Sequence, residues 1–158
     1  MPSNLDRMIQ LAEEFFSTKN DPDQISVTPE VMERLRKIHP STMTEQDDGD
    51  GPVAWILVIP TTHDLMEKFV SKKITERQLL EMTPLHGKFD AVYLCSALVL
   101  PEHRGKRLAT RLTCEAVRAI RADHPITSLL YWAFSEDGTH VARAVAEILG
   151  IPLYTRPG

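Results

Sequence analysis

Leu98-Val99-Leu100-Pro101-Glu102-His103-Arg104-Gly105-Lys106-Arg107-Leu108-Ala109-Thr110 is an apolar run that stops at a proline, turns through a basic, glycine-containing loop and starts a helix. A helix start leaves about four backbone N–H groups without intrahelical partners, and the aligned peptide dipoles add partial positive charge there, so an anion gains hydrogen bonds and field together. Arg104, Lys106 and Arg107 place full charges at the same corner. An Arg-Gly-Lys-Arg segment alone reads equally as an ordinary solvated loop. The strand before it, the proline stop and the apolar stripe after it favour a polyphosphate-binding turn.

Outward from this turn the element order is legible. Val92 to Leu100 reads as a strand, and Leu108, Leu112, Ala116, Ala119 and Ile120 fall on one helical stripe. Leu129 to Phe134 follows as a third strand; Val141, Val145, Ile148 and Leu149 mark a helix stopped at Gly150, and Ile151 to Thr155 form a last short strand. Strands joined by helical crossovers are expected to pair in parallel. Upstream, Val53 to Ile59 between Pro52 and Pro60 is short, apolar and β-branched, as in a central strand covered on both faces. Asp64 can cap a helix carrying Leu65, Met66, Phe69 and Val70, and Thr75 with Gln78 forms a capping box before Leu79, Leu80 and Met82. Residues 41–52 are polar, acidic and glycine-bearing and read as a loop. The first part, 1–40, is helical. Leu5, Met8, Ile9, Ala12, Phe15 and Phe16 share a face behind a Ser3 or Asn4 cap, Asn20-Asp21-Pro22-Asp23 breaks it, and Thr28-Pro29-Glu30 starts a second helix with Val31, Leu35 and Ile38.

The chain of 158 residues, 42% apolar, suffices for one domain over 1–158. Its net charge of −4 opposes a broad nucleic-acid surface, which needs a basic excess. Yet Arg104, Lys106, Arg107, Arg111, Arg118 and Arg121 face only Glu115 between them, which suits a local anion site. Arg118 and Arg121 read as a solvated helix face. Cys95 and Cys114 sit in apolar patterns and read as reduced core residues, with no metal-ligand spacing. No basic leader and no bilayer-length apolar stretch occur, which predicts a cytoplasmic location without a membrane partner.

The loop closely resembles the acyl-coenzyme A diphosphate loop of the GNAT superfamily of N-acyltransferases. That signature, Arg/Gln-x-x-Gly-x-Gly/Ala, lies over Arg104, Gly105, Lys106, Arg107, Leu108 and Ala109. The first and last positions match, and Arg107 stands where the middle glycine is expected, bringing a side chain to a place where glycine lets phosphates close to the backbone. The resemblance covers Phe89 to Arg156 and implies an α/β fold with a mixed central sheet flanked by helices, residues 89–156 being the acyl-coenzyme A-binding core. It implies that Leu98, Val99 and Leu100 hold the pantetheine arm through their backbone, and that the diphosphate lies against Arg104 to Ala109 with Thr110 beside it. Acetyl-coenzyme A would be the acyl donor and a small-molecule or peptide amine the acceptor, attacking directly in a ternary complex; a homodimer is compatible with this. The first half departs from the family order. Either a strand is hidden near Ser41 to Asp50, or the fold is shortened.

In the family a tyrosine four residues before the helix-ending glycine protonates the departing thiolate. Here that position is Ala146. Tyr93 and Ser135 are the available catalytic substitutes, with Tyr154 and His140 further off. Tyr93 and Trp132 also read as core aromatics, Ser135 as a turn residue and His103 as a surface residue. No cysteine nucleophile is expected, because neither cysteine has a histidine near it in sequence. Two rival readings stand beside N-acetyl transfer. One is a GNAT-like module that binds acyl-coenzyme A or a protein partner as a sensor. The other is an unrelated α/β domain whose loop takes a different phosphorylated ligand.

Overall fold

The apolar runs around Ile56 and Leu94 become the two longest strands of one five-stranded sheet in the computed structural model. It describes residues 2–17, 25, 28–133 and 135–158, with Phe16 and Ser17 as backbone only. The strands β1 (Met43–Asp47), β2 (Pro52–Thr61), β3 (Ala91–Val99), β4 (Ser128–Ala133) and β5 (Leu153–Pro157) lie side by side in chain order. The pairs β1–β2 and β2–β3 are antiparallel, whereas β3–β4 and β4–β5 are parallel. The sheet is thus mixed and flanked by helices, as expected of an α/β domain. The helices are α1 (Asn4–Ser17), α2 (Pro29–Ile38), α3 (His63–Val70), α4 (Glu76–Met82), α5 (Leu108–Asp123) and α6 (Glu136–Leu149). A 3-10 turn, Pro101–His103, links β3 to the basic loop.

Residues expected to form a loop provide β1, so the hidden strand exists. Met43-Thr44-Glu45-Gln46-Asp47 carries no apolar alternation because it is the sheet edge, paired to β2 on one side and largely solvated. The turn that follows places Gly49 and Gly51 at positive φ. β2 is covered on both faces, with Trp55 alone half-buried and its indole N–H donating to Glu45 at 2.7 Å.

Helix starts follow the local chemistry closely. Thr28 caps α2 ahead of Pro29, and Thr75 and Gln78 form the expected capping box on α4. On α3 the cap is Thr62, not Asp64, and on α1 it is Ser3, whose hydroxyl accepts the Asp6 N–H at 3.2 Å. Ala119 on α5 is exposed, while Thr113, Cys114 and Val117 join the buried stripe. α1 buries fully only Met8 among the described side chains, leaving Leu5 and Ile9 exposed, because it rests on the sheet through a small satellite core of Met8, Val53, Leu98 and Leu100. The expected break at Asn20–Asp23 and the strand end at Phe134 lie outside the described residues.

Successive residues of β4 show how the faces divide. Trp132 meets Phe69 of α3 edge-on, while Tyr131 turns to Thr139 and Arg143 of α6, as strand alternation requires. α5 and α6 therefore cover one face, joined by α1 at the Leu108 end, and α3 with α4 covers the other. Arg34 of α2 ties this second layer down by donating to the Leu80, Glu81 and Thr83 carbonyls at the end of α4.

The far end of α5 carries a titratable contact. His124 accepts the Phe89 N–H on Nδ1 at 3.3 Å, packs at a tilt against the Phe89 ring and lies beside His39, which pairs with Asp123 at 2.8 Å. Burial, then the neighbouring His39, pulls the His124 pKa below its ordinary value of 6.5. The folded state then binds fewer protons here than the unfolded chain. The contribution is complete above about pH 6.5 and is lost as pH falls through that value toward the folded pKa. Denaturant midpoints should fall between pH 7 and about pH 5, and His124→Gln should flatten that slope. An unchanged slope would remove His124 from the account.

Candidate functional site

The site arises where two parallel strands stop pairing. β3 and β4 are hydrogen-bonded only from Ala91–Ser128 to Tyr93–Leu130, and beyond that pair they part. β2 holds the opposite edge of β3 along its whole length, so Leu94 to Val99 keeps one edge paired and offers the other to the gap. A register shift explains the divergence. Leu57 opposes Ser96 while Val58 opposes Leu94, which makes Cys95 the extra residue of a bulge. Bulges bend a strand and increase its twist, turning the end of β3 away from β4.

The gap opens into a cleft of about 760 Å³, walled by β3 from Leu94 to Val99, by Tyr131 and Trp132 of β4, and by the start of α6. The basic turn lies at its end: Arg104, Gly105, Arg107, Leu108, Ala109 and Thr110 all line it. The corner is open rather than plugged. Gly105 has φ +82° and Arg107 φ +58° with ψ 22°, both left-handed, and residues in such a turn direct successive N–H groups into one concavity. α5 has no side-chain cap and no acid in its first turn, unlike α2, α3, α4 and α6. Its dipole therefore faces the cleft unopposed by a carboxylate of its own first turn. Arg104 Nε donates to the Val99 carbonyl at 3.0 Å, tying the loop to the end of β3.

Two residues of the expected binding set do not line the cleft. Leu100 is buried in the satellite core under α1, with its N–H donated to the Val53 carbonyl at 2.9 Å. Lys106 is exposed and stands apart from the cleft lining. Leu98 and Val99 do reach it, and the open strand edge extends back to Leu94.

Arg107 occupies a conformation that costs a residue with a Cβ about 1–2 kcal/mol. Arg107→Gly should therefore raise unfolding stability by about 1 kcal/mol, read as a higher denaturant midpoint at unchanged slope. A lower midpoint would show that the arginine side chain stabilises the loop by more than its backbone strain.

Distant contacts brace the turn from the other side. Arg7 of α1 grips Glu102 through two bonds of 2.6 Å, and these bonds bring the Glu102 pKa down to about 2. Asp48 of the β1–β2 turn accepts from Asn4 at 3.2 Å and lies 3.6 Å from His103. Leu11, Glu14 and Phe15 of α1 close the same end of the cleft. No sequence signal pointed to these partners, which lie up to 95 residues apart.

The two expected catalytic residues separate. Ser135 lines the cleft as the cap of α6; its oxygen accepts the Gly138 N–H at 3.0 Å, a bond that does not use its own proton. Tyr93 does not line the cleft. It is 0% exposed on the α3–α4 face, donates to Glu76 Oε2 at 2.5 Å and packs on Phe69, and burial pushes its phenol well above the usual range. A phenol so placed does not reach a thiolate in the cleft. Ala146 packs against the core, and Tyr131, unflagged by sequence, stands in the cleft wall instead. Burial raises the Tyr131 pKa, but hydrogen bonds with Thr155, Thr139 and Arg143 outweigh it and leave the phenol below its ordinary value.

Among the described residues no group of three or more His, Cys, Asp or Glu could hold a metal ion, and no helix is long and apolar enough to cross a membrane. No family model and no curated protein matches the chain. Among solved structures it is similar to Chaetomium thermophilum Naa20, crystallised in complex with a bisubstrate analogue, at 18% identity and a TM-score of 0.41. The match covers 67% of this chain and 50% of that one, so the chain spans half the length of the protein it is compared with.

Proposed function

We propose that this protein is a GNAT-type N-acyltransferase that moves an acetyl group from acetyl-coenzyme A to an amine, either a small molecule or a peptide. The observation that carries this reading is the continuity of the cleft. One opening joins the bare edge of β3 at the Tyr93–Leu130 fork to the left-handed, uncapped turn at Arg104–Ala109. An extended donor with a diphosphate at one end and a thioester at the other suits both ends. The N–H groups of the turn and the Arg104 and Arg107 side chains would take the diphosphate, and the unpaired backbone of β3 would take the amide-bearing arm. Holding two reactants in line at such a fork can supply about 7–11 kcal/mol of barrier lowering without a dedicated side chain.

Titration calorimetry with acetyl-coenzyme A, followed by thiol release on adding amines, tests the reading. Micromolar binding with release is expected. Absence of binding would leave an α/β domain for another phosphorylated ligand. Binding without release would favour the second reading, a module that senses acyl-coenzyme A; Ala146 in the place of the family tyrosine is the observation on its side.

A further inference from the structure

A buried carboxylate stands directly behind the open edge of β3. Glu76, the first residue of α4, is 3% exposed; its Oε1 accepts the Ile25 N–H at 3.0 Å and its Oε2 accepts the Tyr93 hydroxyl. The same Oε2 lies 3.7 Å from Cys95 Sγ. Cys95 is the extra residue of the bulge, lines the cleft, and is 8% exposed. A thiol, a carboxylate within its reach and a phenol that orients the carboxylate thus converge from two elements at the fork. Cys95 and the basic turn line the same cleft, so a donor whose diphosphate rested on the turn would extend along β3 toward this fork. Cys114, buried on α5, neither lines the cleft nor has a described hydrogen-bond partner of this kind.

We propose that Cys95 is an acyl-accepting nucleophile, with Glu76 as its proton acceptor and Tyr93 as the residue that positions Glu76. This rests on the acyl-donor reading above and replaces direct attack by two transfers. In the first, Cys95 sulfur bonds to the thioester carbonyl carbon as its proton passes to Glu76 Oε2. The carbon–sulfur bond to the donor breaks, the donor leaves as a thiolate that takes its proton from solvent in the open cleft, and Glu76 keeps the Cys95 proton. In the second, the amine attacks the acyl-Cys95 carbonyl and gives up a proton to solvent, and Glu76 returns its proton to the Cys95 sulfur as the acyl–sulfur bond breaks. Acyl group and protons balance, and Glu76 ends as it began. Splitting one acyl transfer into two thioester steps is the ordinary logic of a thiol nucleophile with an adjacent base.

Intact-protein mass spectrometry after acid quench, with the site mapped by peptide analysis, reads the intermediate without an acceptor. Two donors are used, acetyl-coenzyme A and the acetyl thioester of N-acetylcysteamine, which lacks the nucleotide. The expected result is one acetyl group on Cys95 from either donor, retained in Cys114→Ala and absent in Cys95→Ser. Glu76→Gln should slow labelling about 10²-fold at neutral pH and flatten its pH dependence, which a merely structural role for Glu76 would leave in place. Acetyl-coenzyme A that binds by calorimetry while neither donor labels Cys95 overturns the nucleophile and leaves the acyl-donor reading standing. Labelling by the small thioester with no binding of acetyl-coenzyme A upholds the nucleophile and overturns the nucleotide site. Neither binding nor labelling removes both.

Discussion

Phe69→Ala is expected to lower the unfolding free energy by about 3–5 kcal/mol. Phe69 is 0% exposed at the end of α3, with its ring centroid 5.0 Å from Tyr93 and 6.2 Å from Trp132. The Arg156 guanidinium of β5 lies 4.4 Å above the same ring while donating to the Phe69 and Ile74 carbonyls. Removing the ring loses its transfer free energy and leaves a cavity that Tyr93 and Arg156, held by hydrogen bonds of their own, cannot collapse to fill. It also loses a ring–guanidinium contact of about 0.5–2 kcal/mol. Against a typical total of about 5–15 kcal/mol the variant should be close to its folding limit at 37 °C. A denaturant curve with an unchanged slope and a midpoint within error of the parent would show that the α3 layer does not pack as described.

Arg104→Glu should weaken acetyl-coenzyme A binding about 10²-fold at low salt, or about 2.7 kcal/mol. The substitution replaces a cation beside the turn with an anion and removes the 3.0 Å bond to the Val99 carbonyl that ties the loop to β3. Because the loop is exposed, the deficit should shrink as salt rises and the screening length falls below about 8 Å. Arg104→Ala should lie between parent and charge reversal, whereas Arg107→Gly should raise affinity by giving the phosphates closer access to the backbone. Calorimetry at two ionic strengths checks all three. An unchanged Kd for Arg104→Glu would remove the diphosphate from this corner.

The legible parts of this fold are those decided within a few residues. The capping box of α4, the proline stop at Pro101 and the apolar stripe of α5 depend on neighbours three or four positions away, and the structure shows them where their residues stand. The polar edge strand Met43–Asp47 was hidden because a strand with one solvated face and one free edge needs no apolar pattern. The split between Tyr93 and Ser135 was hidden for a different reason. Strand alternation and the bulge at Cys95 set which side chains enter the cleft, and both depend on pairing with β2. The absence of a nearby histidine spoke against Cys95, yet a carboxylate 19 residues earlier comes within 3.7 Å of it.

The amino-acid order by itself determined the strand, basic turn and helix at Leu98–Thr110 and the alternation of strands and helices that follows, because backbone hydrogen bonding and burial periodicity act over short separations. Only the tertiary structure decided that β3 and β4 part after Tyr93 and Leu130, that α1 braces the turn through Arg7 and Glu102, and that Glu76 stands behind Cys95. Each of these is a meeting of distant segments. Register and packing across the sheet fix them together, and no local window of sequence contains that information.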